Sequence, residues 1–143
     1  HAKTYAVLTD LRGKVPFQVR YRTLEGVNRG PFDTVFDTDA ESVSSVKGIL
    51  RDVPGWVSFR AFAGRRLCYF TMLLTYKYAL RSIRWGIDTD SPDRLLRFAP
   101  RGTPGIDNDD ETLVDLPDRA GSVTVELTFL DGTTEKKRFQ VQF

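Results

Sequence analysis

A serine hydroxyl or a thiol becomes a useful nucleophile at neutral pH only when a neighbouring base, most often an imidazole, takes its proton. This chain has one histidine, His1, and it is the first residue of the sequence. The single cysteine, Cys68, sits in the apolar run Leu67–Leu74, where a thiol is ordinarily inert packing. No G-x-S-x-G, no P-loop and no G-x-G-x-x-G occurs, so neither a nucleophile elbow nor a glycine cradle for phosphate is encoded. One thiol also rules out an internal disulfide and a cysteine-based zinc site. The balance of these features is against an enzyme.

Carboxylates offer two clusters. Asp88, Asp90 and Asp93 fall in one turn-like stretch, and Asp107, Asp109, Asp110 and Glu111 in another. Hard cations such as Ca²⁺ take six to eight oxygens from flexible loops, so calcium is the metal these segments would suit. Neither cluster has the glycine and the closing glutamate of an EF-hand loop. Asp, Asn and Pro also make turns without any metal, by bonding their own backbone. A glycosidase pair could be drawn from the same acids, although sequence does not fix their separation. His1 supplies a second metal option, since an N-terminal amine and imidazole together chelate copper. That site ordinarily uses a second histidine, which is absent, so copper is the weaker form of the metal reading.

Aromatic residues are the remaining lead. Trp56, Tyr69, Tyr76, Tyr78 and Trp85 are interleaved with Arg60, Lys77, Arg81 and Arg84. An exposed aromatic platform beside cations suits sugar rings or bases, whereas most large aromatics simply fill a core. Trp85 alternates with Ile83 and Ile87 and reads as core; Tyr76 and Tyr78 flank Lys77 and read as surface. The expected ligand-binding set is therefore Tyr76, Lys77, Tyr78, Arg81 and Arg84.

Charge narrows the partners. The formal net charge is +2, but residues 60–101 carry nine Lys or Arg against three Asp, while residues 105–118 carry six acids and no base. Either the acidic stretch folds over the basic strands or the basic strands face an anionic partner, and the first is the more ordinary outcome. The small net charge and the lack of any recognisable module give little support to nucleic acid. No run of apolar residues is long enough to span a membrane. The compartment is not written in the chain, although a periplasmic or secreted location would follow if His1 were a processed N-terminus.

The elements that must position these groups are mostly strands. The 143 residues suffice for a single domain with a substantial core. Tyr5–Leu8 reads as a short edge strand. Val15, Phe17, Val19, Tyr21 and Thr23 alternate with polar residues and Pro16, as in a half-buried strand. Glu25–Pro31 reads as a loop and Phe32–Phe36 as a short strand. Thr38 and Glu41 have capping-box spacing, and Val43, Val46, Leu50 and Val53 make one helical stripe, so a helix is expected over 39–52, ended by Pro54-Gly55. Trp56–Ala63 and Leu67–Leu74 read as a hairpin turning at Gly64-Arg65-Arg66, with the second strand central because both its faces are apolar. Leu73–Arg81 is compatible with helix, and 80–87 with a strand. Leu95–Phe98 reads as a short strand and Pro100–Glu111 as an exposed loop. The chain closes on a hairpin from Ser122 to Phe143, with Val123, Val125, Leu127 and Phe129 on the core face, Thr124, Glu126 and Thr128 in solvent, and a tight Asp131-Gly132 turn.

The run Gly121-Ser-Val-Thr-Val-Glu-Leu-Thr-Phe-Leu-Asp-Gly-Thr-Thr, ending Phe139-Gln-Val-Gln-Phe143, resembles the last two strands of bacterial immunoglobulin-like and fibronectin-type-III-like domains. The resemblance covers about a sixth of the chain and implies a β-sandwich with an interaction or spacer role. The expectation is thus a mainly β, immunoglobulin-like antiparallel sandwich with one packed helix. It would act as a non-catalytic module that contacts a protein or glycan through its central strands and the 89–118 loop. The alternative is a metal-binding domain, with calcium at Asp88, Asp90, Asp93, Asp107 and Asp109, or copper at His1.

Overall fold

The computed structural model describes residues 14–143, so His1 and the strand expected at Tyr5–Leu8 lie outside the described residues. The architecture is mainly β, with three antiparallel sheets and one long helix. Strands β1 (Lys14–Arg22) and β2 (Asn28–Asp37) form a hairpin of their own. Helix α1 (Thr38–Asp52) follows directly. β3 (Ser58–Phe62), β4 (Arg65–Tyr69) and β7 (Leu113–Leu116) make a three-stranded sheet with β4 in the middle. β5 (Leu80–Ile87), β6 (Arg94–Leu95), β8 (Ser122–Phe129) and β9 (Thr134–Gln140) make a four-stranded sheet in the order β6-β5-β8-β9. A short helix α2 (Thr71–Thr75) and a 3₁₀ turn (Lys77–Ala79) lead from one large sheet to the other.

One core joins these layers. Val43, Val46 and Leu50, the buried stripe of α1, belong to the same buried cluster as Ile83 and Trp85 of β5, the apolar row of β8 and Cys68 of β4. Trp56 is fully buried, and its indole N–H donates to the Leu50 carbonyl at 3.0 Å, satisfying both a buried donor and an orphan acceptor at the helix end. Val123, Val125, Leu127 and Phe129 are all fully buried, which accounts for the register of the closing hairpin.

Several local expectations are corrected. The helix cap is Asp37, whose carboxylate accepts from the N–H groups of Asp39 and Ala40, both at 3.1 Å; Thr38 is already in the helix and Glu41 closes no reciprocal bond. The Leu67–Leu74 strand ends at Tyr69. Thr71 is the one polar residue in the run, too little to reveal a period, and Phe70, Leu73 and Leu74, spaced by three and four, are buried as a helical face instead. β2 begins at Asn28, inside the expected loop, and β7 was not expected at all. The two tight turns exchange types. Ala63 (φ 51°) and Gly64 (φ 74°) form the two-residue turn between β3 and β4. Asp131-Gly132 instead sits in a three-residue loop with only Gly132 at positive φ: the Gly132 N–H donates to the Phe129 carbonyl and the Phe129 N–H to the Thr133 carbonyl. The Asp131 carboxylate then accepts from the Thr133 N–H and hydroxyl.

The outer face of β8 is not open to solvent as expected. Thr124 is buried, and Glu126 and Thr128 are half-buried. The loop after β5 lies across this face, with the Thr124 hydroxyl donating to the Thr89 carbonyl at 2.5 Å. Gly86 makes this possible, because a Cβ there would stand 2.6 Å from the Thr89 methyl and 3.1 Å from the Pro92 Cα.

Candidate functional site

The loop that crosses β8 also builds a cleft of about 620 Å³, lined by Ile87, Asp88, Thr89, Ser91, Asp93, Arg94, Pro117 and Arg119. Its first residue is held firmly. Asp88 takes a left-handed backbone conformation (φ 51°) that costs free energy in a non-glycine residue. Its carboxylate offsets this by accepting from the Ser122 N–H at 2.8 Å, the Gly121 N–H at 3.1 Å and the Ser122 hydroxyl at 3.2 Å. Burial pushes the Asp88 carboxyl up, but the two N–H donors and the hydroxyl together hold it below its ordinary value. It is an ionised acceptor whose lone pairs are spent on the fold, and a poor general base.

The rest of the loop is tied to β9. The Lys136 ammonium donates to the Asp90 carbonyl at 2.8 Å, and Arg138 pairs with the Asp90 carboxylate at 2.8 Å. The side chains left pointing at the cleft are Ser91, Asp93, Arg94 and Arg119. Asp93, Arg94 and Arg119 are exposed, and Arg94 lies over the Trp85 ring at 4.9 Å. A hydroxyl, a carboxylate and two guanidinium groups on one polar wall can bind carboxylate, amide or hydroxyl groups.

Two acids of the acidic stretch close on one buried lysine. Lys77 is 1% exposed, and its ammonium meets Asp107 at 2.5 Å and Asp110 at 2.6 Å. Asp107 also accepts from Arg101 at 2.8 Å, and Asp110 from the Ala99 and Asp107 N–H groups at 3.0 and 2.9 Å. Burial pulls the Lys77 ammonium down, yet the hydrogen bonds and charges of the two carboxylates outweigh it and raise its pKa. For Asp110 burial pushes up, and the bonds from Lys77 and the two N–H groups outweigh it and lower its pKa. Asp107 is lowered chiefly by its hydrogen bond from Lys77, against a smaller burial effect.

The structure therefore divides the expected residues. Lys77, expected on a binding surface, is buried because both its neighbouring carboxylates come from the acidic loop. Tyr76 and Tyr78 are half-buried, pack against the core and stand 6.4 Å apart at a tilt of 52°. Arg81 is exposed and donates to the Leu130 carbonyl at 2.9 Å. Arg84 is exposed on the outer face of β5, opposite Glu126. Of the expected metal ligands, Asp88 and Asp93 share the cleft, while Asp90, paired with Arg138, lies beside it. Asp107 belongs to the Lys77 cluster, Asp109 is exposed, and His1 lies outside the described residues. Among the described residues, no three of His, Cys, Asp and Glu come together in a group that could hold a metal ion. Cys68 is buried on β4, and burial pushes its thiol up to about 12.

Arg94 and Arg119 were not singled out from the sequence. Nothing local marks them, since one follows a proline-containing turn and the other precedes β8, and only the pairing of β5 with β8 brings them to one wall. Comparison with family models, with curated proteins and with solved structures finds no match to this chain.

Proposed function

We propose that this domain is a non-catalytic binding module that takes a polar segment of a partner protein in the cleft between Asp88–Arg94 and Pro117–Arg119. The observation that carries the reading is the division of labour in that cleft. Asp88 and Asp90 are consumed in holding the loop, while Asp93, Arg94 and Arg119 are exposed and make no side-chain hydrogen bond or ion pair among the described residues. A rigid frame carrying polar groups free of ion pairs is suited to holding a ligand. Both charge signs on one wall suit a polypeptide, whose backbone and side chains offer donors and acceptors together. A glycan is the second reading. It is less favoured in the cleft because no aromatic residue lines it and the Trp85 ring is buried under Arg94. The immunoglobulin-like sandwich is part of the same proposal, supported by the closing hairpin and by the single core shared between the two larger sheets.

The test is a selection of random peptides on the folded protein, run beside a glycan array, each repeated on the Arg94→Glu/Arg119→Glu variant. Peptides enriched on the parent and lost on the variant are the expected result. Glycan binding that the variant abolishes would turn the assignment to a lectin-like module. Enrichment indifferent to the two charge reversals would remove the cleft from the account.

A further inference from the structure

A second surface, sharing no residue with that cleft, lies on the β1–β2 hairpin. Among the described residues its strands pair only with each other. A lone two-stranded hairpin is marginal in water unless something covers it. Yet Val19, Tyr21, Leu24, Val27 and Phe32 are 40–85% exposed and account for five of the nine large hydrophobics left exposed among the described residues. The Tyr21 and Phe32 rings stack at 6.0 Å with 22° between their planes. Beside them Arg20, Tyr21, Arg22, Asn28 and Arg29 line a cleft of about 490 Å³ with no carboxylate in its wall. The three arginines make no ion pair among the described residues, although Glu25, Asp33 and Asp37 lie on the same hairpin; Asp33 accepts from Gln18 and Asp37 caps α1.

We infer that the tip of this hairpin docks an acidic, extended segment of a partner protein in which carboxylates alternate with apolar side chains. Guanidinium groups pair with carboxylates through two parallel hydrogen bonds, and three of them around one cleft select for repeated negative charge. The period-two alternation of an extended segment sends carboxylates to the arginines and apolar groups to Val19, Tyr21 and Phe32. Charge bookkeeping argues against a second copy of the chain as the occupant. Four of the six acids in its own acidic stretch are already engaged, Asp107 and Asp110 on Lys77, Glu111 on the Arg97 N–H and Asp115 on Arg65, which leaves Asp109 and Asp118, too few and too far apart in sequence to alternate with apolar side chains along one extended segment. A single-stranded nucleic acid would satisfy the arginines and stack on Tyr21, but it would leave Leu24 and Val27 in water.

The experiment uses a selection of random peptides on the full chain and on two variants, Arg20→Gln/Arg22→Gln/Arg29→Gln and Leu24→Ser/Val27→Ser, with far-ultraviolet circular dichroism confirming that each is folded. Peptides alternating Asp or Glu with Leu, Phe or Tyr should be enriched on the parent, bind more weakly as ionic strength rises, and lose about ten-fold or more in affinity on the arginine variant. The Leu24→Ser/Val27→Ser variant should weaken the same peptides, and Arg94→Glu/Arg119→Glu should leave them bound, which separates this site from the cleft. Three results overturn the inference: no acidic enrichment on the parent, an oligothymidylate that binds more tightly and is lost on the arginine variant, or self-association in sedimentation that the arginine variant abolishes.

Discussion

Lys77 shows how a residue chosen for surface chemistry is claimed by the interior. A lysine between two tyrosines reads as part of an exposed platform, and its actual environment depends on carboxylates thirty and thirty-three positions later. Taking an ammonium and a carboxylate out of water is costly, and their attraction repays it only while both partners are present. Replacing Lys77 with methionine leaves the buried Asp110 carboxylate without its cation. Lys77→Met should therefore lower the unfolding free energy by about 3 kcal/mol at neutral pH, measured by urea denaturation. The deficit should shrink as pH falls, because the unpaired Asp110 can then protonate in the folded state. A deficit that stays constant down to acid pH would mean that Asp110 is not the stranded group.

At the scale of elements, the sequence pattern settles what has a clear period and misplaces what depends on a distant neighbour. The α1 stripe of Val43, Val46 and Leu50 is buried as its spacing requires, while its cap moved one residue, to Asp37. Asp37→Ala should cost about 1 kcal/mol, and Glu41→Ala less than about 0.5 kcal/mol, both read from chemical denaturation midpoints. The loop over β8 offers a sharper test. Gly86→Ala drives a methyl group into the Thr89 side chain and the Pro92 backbone, so one of them must move. The expected loss is about 1–3 kcal/mol, and hydrogen exchange should quicken at Ser91, whose N–H donates to the Thr89 hydroxyl at 3.1 Å. Peptide binding in the cleft should weaken with it. Unchanged exchange there would show that the loop does not lean on Gly86.

For the molecule as a whole, carboxylates dominate the response to acid. Asp88, Asp107, Asp110, Asp115 and Asp131 all lie below the ordinary value of 3.8 in the folded chain. A lowered folded pKa means that the unfolded chain binds more protons near that pH, so the stabilisation is fully present above the ordinary value and is lost as pH falls through the lowered ones. Lys77 is raised above 10.5, so its contribution is full below that value and disappears as pH rises through the higher one. Cys68 acts in the same alkaline direction, since its thiol titrates at 9.0 when unfolded and at about 12 when buried. Thermal stability should therefore form a plateau across neutral pH, fall below about pH 4 and fall again above about pH 9. Calorimetric melting over that range is the check, and a melting temperature that declines steadily from pH 7 to pH 4 would contradict it.

Much of the frame is legible in one dimension. Val123 to Phe129 alternate strictly, Ile83, Trp85 and Ile87 do the same, and α1 has its stripe, because burial on one face imposes a period that is local to the strand or helix. The mainly β character and the closing hairpin follow from that. Tertiary structure decided the rest, because it depends on which distant segments meet. It buried Lys77 under the acidic loop and laid residues 88–93 across β8. It brought Arg94 and Arg119 to one wall, and left Arg20, Arg22 and Arg29 without an ion pair among the described residues. Charge pairing and loop packing have no periodicity to read; they are set by three-dimensional distance, and only the folded chain supplies it.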